Sequence, residues 1–336
     1  MRKFGKILLY LFSALVVLVG GILIWSQVKI NRAAEQIDRE FQAHQPPAID
    51  SLGSVDTLTI LPLVDWHTAS AELKGEMGVS YLIEAGNETI LFDLGYNAEE
   101  EQPSPLQHNM DKLGIALEDV DMIVISHDHF DHVGGHKWVE EGSFSPGVKQ
   151  VPLGEVSIFT PVDKTYPGQS PITTREPTAL APGIATTGTI ARRLFMGRIE
   201  EQALVVNVDG KGLVLIVGCG HQTIPKLIQR TEEAFSKPIY GIVGGLHMPV
   251  PEGRFPLLGG LINAQRFFAS GDGPLDPLSQ EDINRYLQLL KEKNIQLIGI
   301  GGHDSSDQVI AQFKDAFGDR YEEVKVGKKI QVVSGE

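Results

Sequence analysis

The sequence holds a single cysteine, Cys219, among 336 residues. No intrachain disulfide can form, so the fold must be held by packing, and the redox compartment is left open. Positive charge is also scarce: 29 Lys and Arg stand against 43 Asp and Glu, a net charge of −14. A broad nucleic-acid surface needs a basic footprint, so that class of partner is excluded. A small phosphate ester held by a metal and one arginine stays compatible with this balance. No short-period repeat runs through the chain, which argues against a solenoid. Apolar residues make up 42% of the sequence, enough to bury a large core.

Only one apolar run is long. Ile7 to Trp25 carries no charge and follows Arg2, Lys3 and Lys6. As a helix it spans about 28 Å, close to the hydrocarbon thickness of a bilayer. The basic residues before it favour a cytoplasmic amino terminus with the body of the chain across the membrane. A cleaved signal peptide is the competing reading, but Trp25-Ser26-Gln27-Val28-Lys29 matches a small-x-small cleavage site poorly. We expect an uncleaved anchor over residues 1–28 and a tether over 29–54. An amphipathic helical piece fits Ile30 to Phe41, ended by Pro46-Pro47. The globular domain is expected over 55–336.

The stretch that carries chemistry is Ser126-His127-Asp128-His129-Phe130-Asp131-His132-Val133-Gly134-Gly135. It follows Val120 to Ile125, which reads as a buried strand, so these polar groups sit at a strand's carboxyl end, where open α/β sheets place ligands. Neutral imidazoles with a carboxylate are the donor set for zinc or iron. His127 and His129 can face one ion, and Asp131 and His132 a second beside it. His136 lies outside this spacing and reads as a surface residue. Three later strands also end in a histidine. These are Gly218-Cys219-Gly220-His221, Gly244-Gly245-Leu246-His247 and Gly302-His303. Pro161 to Pro182 reads as a long loop. Met248 to Asp276 reads as an irregular segment loaded with Phe255, Leu257, Leu258, Phe267 and Phe268, either a flap over the site or a packed insertion.

The loop His-x-His-x-Asp-His resembles the signature of the metallo-β-lactamase fold superfamily. With Gly-Cys-x-His and Gly-Gly-x-His it looks like the branch named for dihydropterin-ribofuranosyl-aminobenzene-phosphate synthase, over roughly residues 58 to 332. The resemblance implies an α/β, metallo-β-lactamase-like αββα four-layer sandwich behind the transmembrane helix. It makes Asp93, at the end of a hairpin strand, the residue that orients the metal loop. It sets Cys219 where many members carry a metal-bridging aspartate, as a metal or bridging ligand or a small buried residue. The expected metal ligands are His127, His129, Asp131, His132, His221 and His303, holding one or two zinc ions, with iron or manganese as alternatives. The expected catalytic residues are Asp131 and His247. His247 either completes the metal shell, donates to an oxyanion or contacts substrate; Arg192 is an expected substrate contact. The function implied is a membrane-anchored hydrolase that turns a metal-bound hydroxide on an ester, phosphoester or similar bond of a small molecule. The alternatives are a transferase of the synthase type and a non-catalytic metal or ligand sensor. A mono-iron dioxygenase has no specific signal, and His129 speaks against a di-iron electron carrier.

Overall fold

The computed structural model describes residues 2–257, 259 and 262–335. Leu258, one of the apolar residues expected in the irregular segment, lies outside them. The body is built on two sheets. One has seven strands in the order Ile330–Val333, Thr57–Val64, Ser80–Ala85, Glu88–Phe92, Met122–Val124, Ser157–Thr160, Ile172–Thr173. The other has six, in the order Leu297–Ile300, Ile239–Gly244, Gly212–Val217, Leu204–Val208, Ile184–Thr186, Thr178–Ala181. Their strands read as near-continuous apolar runs because both faces of each sheet are covered.

Three apolar clusters separate the layers. Leu58, Ile60, Tyr81 and Phe92 of the first sheet meet Val206, Val214, Ile216 and Val243 of the second in the middle. Outside the second sheet, Val205, Leu215 and Ile242 pack on Leu227, Ile283, Leu290 and Phe313, from three helices. Outside the first, Leu61, Leu91 and Ile123 pack on Leu106, Met110 and Trp138. The result is the expected αββα sandwich. Helix ends obey local chemistry. Ser104 and Gln107 form a capping box on Pro105–Leu113, and Gly114 closes it in the left-handed conformation (φ 71°). The expected loop from Pro161 to Pro182 contributes two short edge strands, and 248–276 contains the strand pair Pro256–Leu257 and Ile262–Asn263 and the helix Ala264–Phe268.

Placement of the site follows from which strands are parallel. Glu88–Phe92 runs parallel to Met122–Val124, and Gly212–Val217, Ile239–Gly244 and Leu297–Ile300 run parallel to one another. Their carboxyl ends deliver Asp93, His127, Cys219, His247 and His303 to one rim of the sandwich.

The amino-terminal helix runs unbroken from Arg2 to Ala43 and is long and apolar enough to cross a bilayer. The stretch expected as a tether is thus helical through Ala43, stopping before Pro46-Pro47. Gln27, Ile30, Ile37 and Phe41 are buried at helical spacing against the body. Asp38 pairs with Lys226 at 2.5 Å and Glu40 with Arg198 at 3.1 Å, while the Arg230 guanidinium lies 5.4 Å from the Phe41 ring. Burying Ile30, Ile37 and Phe41 contributes about 1.5–3 kcal/mol each, more than those exposed ion pairs.

Candidate metal centre

Six imidazoles crowd the rim. The His127 ring centre lies 4.7 Å from His129, 4.0 Å from His132 and 5.2 Å from His221. His132 is 5.5 Å from His303, and His221 is 4.4 Å from His247. Three trios bring one donor atom each to within 4.8 Å of one another: His127, Cys219, His221; His132, Cys219, His303; and Cys219, His247, Asp304. Cys219 is common to all three. Asp131 stands at the edge, its Oδ1 3.9 Å from His132 Nε2, and His129 and Asp131 line the cavity above.

The free nitrogens test whether these residues suit a cation. Nε2 of His127, His132 and His247, and both ring nitrogens of His221 and His303, are buried without a hydrogen-bond partner among the described residues. A buried polar atom left unpaired costs about 1–3 kcal/mol. Seven such atoms around one thiol would be a heavy burden on the fold unless something binds them. The donor set fits a divalent ion of the zinc type.

Ionisation agrees. Burial, then the neighbouring imidazoles, pushes His127 and His221 well below their ordinary range. Burial likewise takes His129 and His303 down to about 3. These rings are therefore neutral at pH 7, the form that ligates metal. His132 differs. Burial lowers it, but the Asp93 and Asp131 carboxylates outweigh that and raise it to about 9. Burial, then Asp304 and Asp131, pushes the Cys219 thiol well up, a shift that a bound cation reverses.

Each donor loop is held by a buried carboxylate. Asp93 Oδ1 accepts the Ser126 N–H at 2.7 Å, and Oδ2 accepts the Ser126 hydroxyl at 2.6 Å. Oδ2 also takes His132 Nδ1 at 2.7 Å, and Ser126 Oγ lies 2.9 Å from His127 Nδ1. Two candidate ligand rings are thereby oriented with Nε2 free. Glu201, from the strand Gly197–Glu201, accepts the Cys219 and Gly220 N–H groups at 2.9 and 2.7 Å. Asp65 accepts Gly302 N–H at 2.7 Å and the Tyr81 hydroxyl at 3.1 Å, fixing the His303 loop. Burial raises both Glu201 and Asp65 to about 7. Asp304 accepts the His247 N–H at 2.9 Å and the Cys219 thiol at 3.3 Å. That backbone bond holds His247 at φ 47°, a left-handed conformation costing a non-glycine residue about 1–2 kcal/mol. Gly218 is required by space: a Cβ there would lie 2.1 Å from Ser126 Oγ and 2.8 Å from Asp93 Oδ2.

Sequence reasoning missed Asp65, Glu201, Ser126 and Asp304. Ser126 and Asp304 left a signal, as the neighbours of His127 and His303; Asp65 and Glu201 left none. Arg192 sits apart from the main cavity. Its guanidinium bonds Asp272 at 2.6 Å and Gly271 O at 3.0 Å, beside a cavity of about 30 Å³ under His221 and His247. His136 is exposed and stacks on Phe130, 4.1 Å between ring centres, at the cavity wall.

The cavity above the cluster holds about 370 Å³, with His129, Asp131, Cys219, His221, His247 and Asp304 at its polar end. A larger one of about 460 Å³, lined by 49–54, 207–213 and 235–238, lies away from these histidines and brings together no comparable donors.

The metallo-beta-lactamase superfamily profile matches residues 73–228. That match covers just under half of the chain and takes in the loop from His127 to His132 and the Cys219–His221 turn. It is 26% identical over 240 residues to the 7,8-dihydropterin-6-methyl-4-(beta-D-ribofuranosyl)-aminobenzene-5'-phosphate synthase of Methanocaldococcus jannaschii, covering 59% of this chain and 80% of that protein. An uncharacterized protein of the same organism is 29% identical over 210 residues, 55% of this chain and 78% of that one. A solved metal-dependent hydrolase of the beta-lactamase superfamily matches with a TM-score of 0.53 at 20% identity, over 82% of this chain and all of the other. The metallo-beta-lactamase fold protein YhfI of Bacillus subtilis matches with 0.50 at 13% identity over 82% of this chain and all of YhfI. These two likenesses speak for the fold alone.

Proposed function

We propose that the chain is a membrane-anchored, zinc-dependent hydrolase of a small-molecule ester. The observation that supports it is the set of unpaired imidazole nitrogens around Cys219 at the polar end of a cavity. In this reading His127, His129 and His221 hold one ion, Asp131, His132 and His303 a second, and Cys219 stands between them. Such ions lower the pKa of water, so that a nucleophile exists at pH 7, and polarise the scissile group. The protein's own part is to orient and to move protons. Asp93 keeps the His132 proton on Nδ1, leaving Nε2 as donor. The Asp131 carboxylate takes the proton of the attacking water. His247 Nε2, unpaired and half in the cavity wall, donates toward the oxyanion that develops on the substrate.

The synthase likeness supports a second reading, group transfer to an acceptor other than water. Screening carboxylic esters, lactones, thioesters and phosphodiesters in water, with and without chelator, separates the two. Hydrolysis that chelation abolishes is expected; turnover that survives full removal of metal overturns the metal mechanism. For the anchor, we propose a cytoplasmic amino terminus with the body on the outer side, from Arg2, Lys3 and Lys6 before the apolar run. A reporter fused after residue 54 that is active only in the cytoplasm overturns that orientation.

A further inference from the structure

The cavity has two ends of opposite character. Away from the cluster it is lined by Met77, Tyr96, Phe130, Met196, Phe255 and Phe268, and no Lys or Arg lines it among the described residues. Two carboxylates, Asp131 and Asp304, stand at its polar end. With no Lys or Arg along this wall to share a phosphate's charge beyond the polar end, an uncharged ester with an apolar tail suits the chamber better than a phosphoester.

The apolar wall reaches the surface. Met196 is 60% exposed and Phe255 51%, and both line the cavity. Phe195 packs on Phe268 with ring centres 5.0 Å apart. The segment that supplies Phe255, Leu257 and Phe268 continues into 272–275, which is fastened to the amino-terminal helix. Gln27 donates to Asp272 O at 2.5 Å and accepts the Leu275 N–H at 2.9 Å. Gln27 lies two residues beyond Trp25, the last residue of the apolar run, about 3 Å along the helix axis. Lys29 Nζ folds back to 3.8 Å from the Trp25 ring centre. A tryptophan capped by a lysine marks the level where a helix leaves the hydrocarbon. At that same level Leu275, 53% exposed, stands beside Gln27.

From this juxtaposition we propose that the cavity takes the acyl chain of a carboxylic ester resident in the membrane, which enters over Met196, Phe255 and Leu257 at the bilayer surface. The inference rests on the hydrolase reading above and names its substrate class. In the reaction, water oxygen bonds to the carbonyl carbon and the carbon–oxygen bond to the alcohol breaks. The departing alkoxide takes a proton that came from the water, giving a fatty acid and a free alcohol.

The test uses the full chain, zinc-loaded, in phosphatidylcholine nanodiscs. Its kcat/KM is measured on 4-nitrophenyl acetate, butanoate, hexanoate and octanoate. Each methylene buried is expected to raise kcat/KM about threefold to fourfold until the chamber is full; a flat series overturns the proposal. A diacylglycerol carried in the nanodisc is expected to be cleaved as well. Cleavage of octanoate without the embedded ester overturns entry from the bilayer. If no ester is turned over in a metal-dependent way, the hydrolase reading falls, and the acyl chamber is judged on binding. Methyl dodecanoate with a terminal diazirine is photolysed with the protein. Label on Met196, Phe255 or Phe268 supports the chamber, and label confined to residues 7–25 overturns it.

Discussion

Replacing Asp93 by asparagine should weaken metal binding without unfolding the protein. Asp93 is fully buried and accepts three hydrogen bonds, from Ser126 N–H, Ser126 O–H and His132 Nδ1–H. Alanine would strand all three donors, at about 1–3 kcal/mol each, and is expected to compromise the fold. Asparagine keeps the shape and one acceptor, so the Ser126 N–H bond at Oδ1 survives. Its amide nitrogen then faces the Ser126 hydroxyl and His132 Nδ1, both donors in the native arrangement. To avoid the clash His132 must give up its Nδ1 proton, which puts the proton on Nε2, the nitrogen needed for the ion. Removing a carboxylate that orients ligand histidines costs about 10–100-fold in metal affinity, or about 1.4–2.7 kcal/mol. The assay is competition for zinc against a chromophoric chelator, with circular dichroism to verify folding. A folded D93N that binds zinc as tightly as the native chain refutes the reasoning.

Glu201→Gln keeps the acceptor for the Cys219 and Gly220 N–H groups and removes a buried charge. Burial raises Glu201 from 4.5 to about 7, so the folded state holds its proton more tightly and stability falls as pH rises from 4.5 to 7. The metal-free E201Q protein should therefore be more stable above pH 7, by on the order of 3 kcal/mol, with the gain vanishing below pH 4.5; equal urea midpoints at pH 8 count against this. Gly218→Ala drives a methyl group into Ser126 Oγ and Asp93 Oδ2. It should cost at least about 1–3 kcal/mol by thermal melting and lower zinc occupancy, whereas a native melting curve and full occupancy would contradict the geometry. Ile37→Asp puts a charge in the seam between the amino-terminal helix and the body. Protease cleavage between residues 44 and 54 should accelerate if the helix undocks, and an unchanged rate argues against the docked arrangement.

What the sequence revealed depended on whether a residue's partners lie near it in the chain. The metal loop packs its donors into six positions, and the later histidines each follow an apolar run, so topology alone brings them to one rim. Asp65 and Glu201 gave no such signal. Asp65 ends an apolar strand like any turn residue, and Glu201 follows Glu200 in a hairpin that reads as surface. Their roles appear only when strands distant in sequence set them against the backbone of the Gly302 and Cys219 loops. Arg192 looked available for substrate because its partner, Asp272, is 80 positions away. The amphipathic helix over Ile30 to Phe41 was legible in its spacing, but its docking was not, because partners such as Lys226 and Arg230 lie far along the chain.

The claim on which the account rests is that imidazoles from separate strands meet the Cys219 sulfur at a shared ion. X-ray absorption at the zinc edge of the loaded full-length protein tests it directly. The account predicts imidazole scattering together with a single sulfur neighbour at about 2.3 Å, lost in Cys219→Ala. A spectrum of oxygen neighbours alone, or one indifferent to that substitution and to His221→Ala, would contradict it.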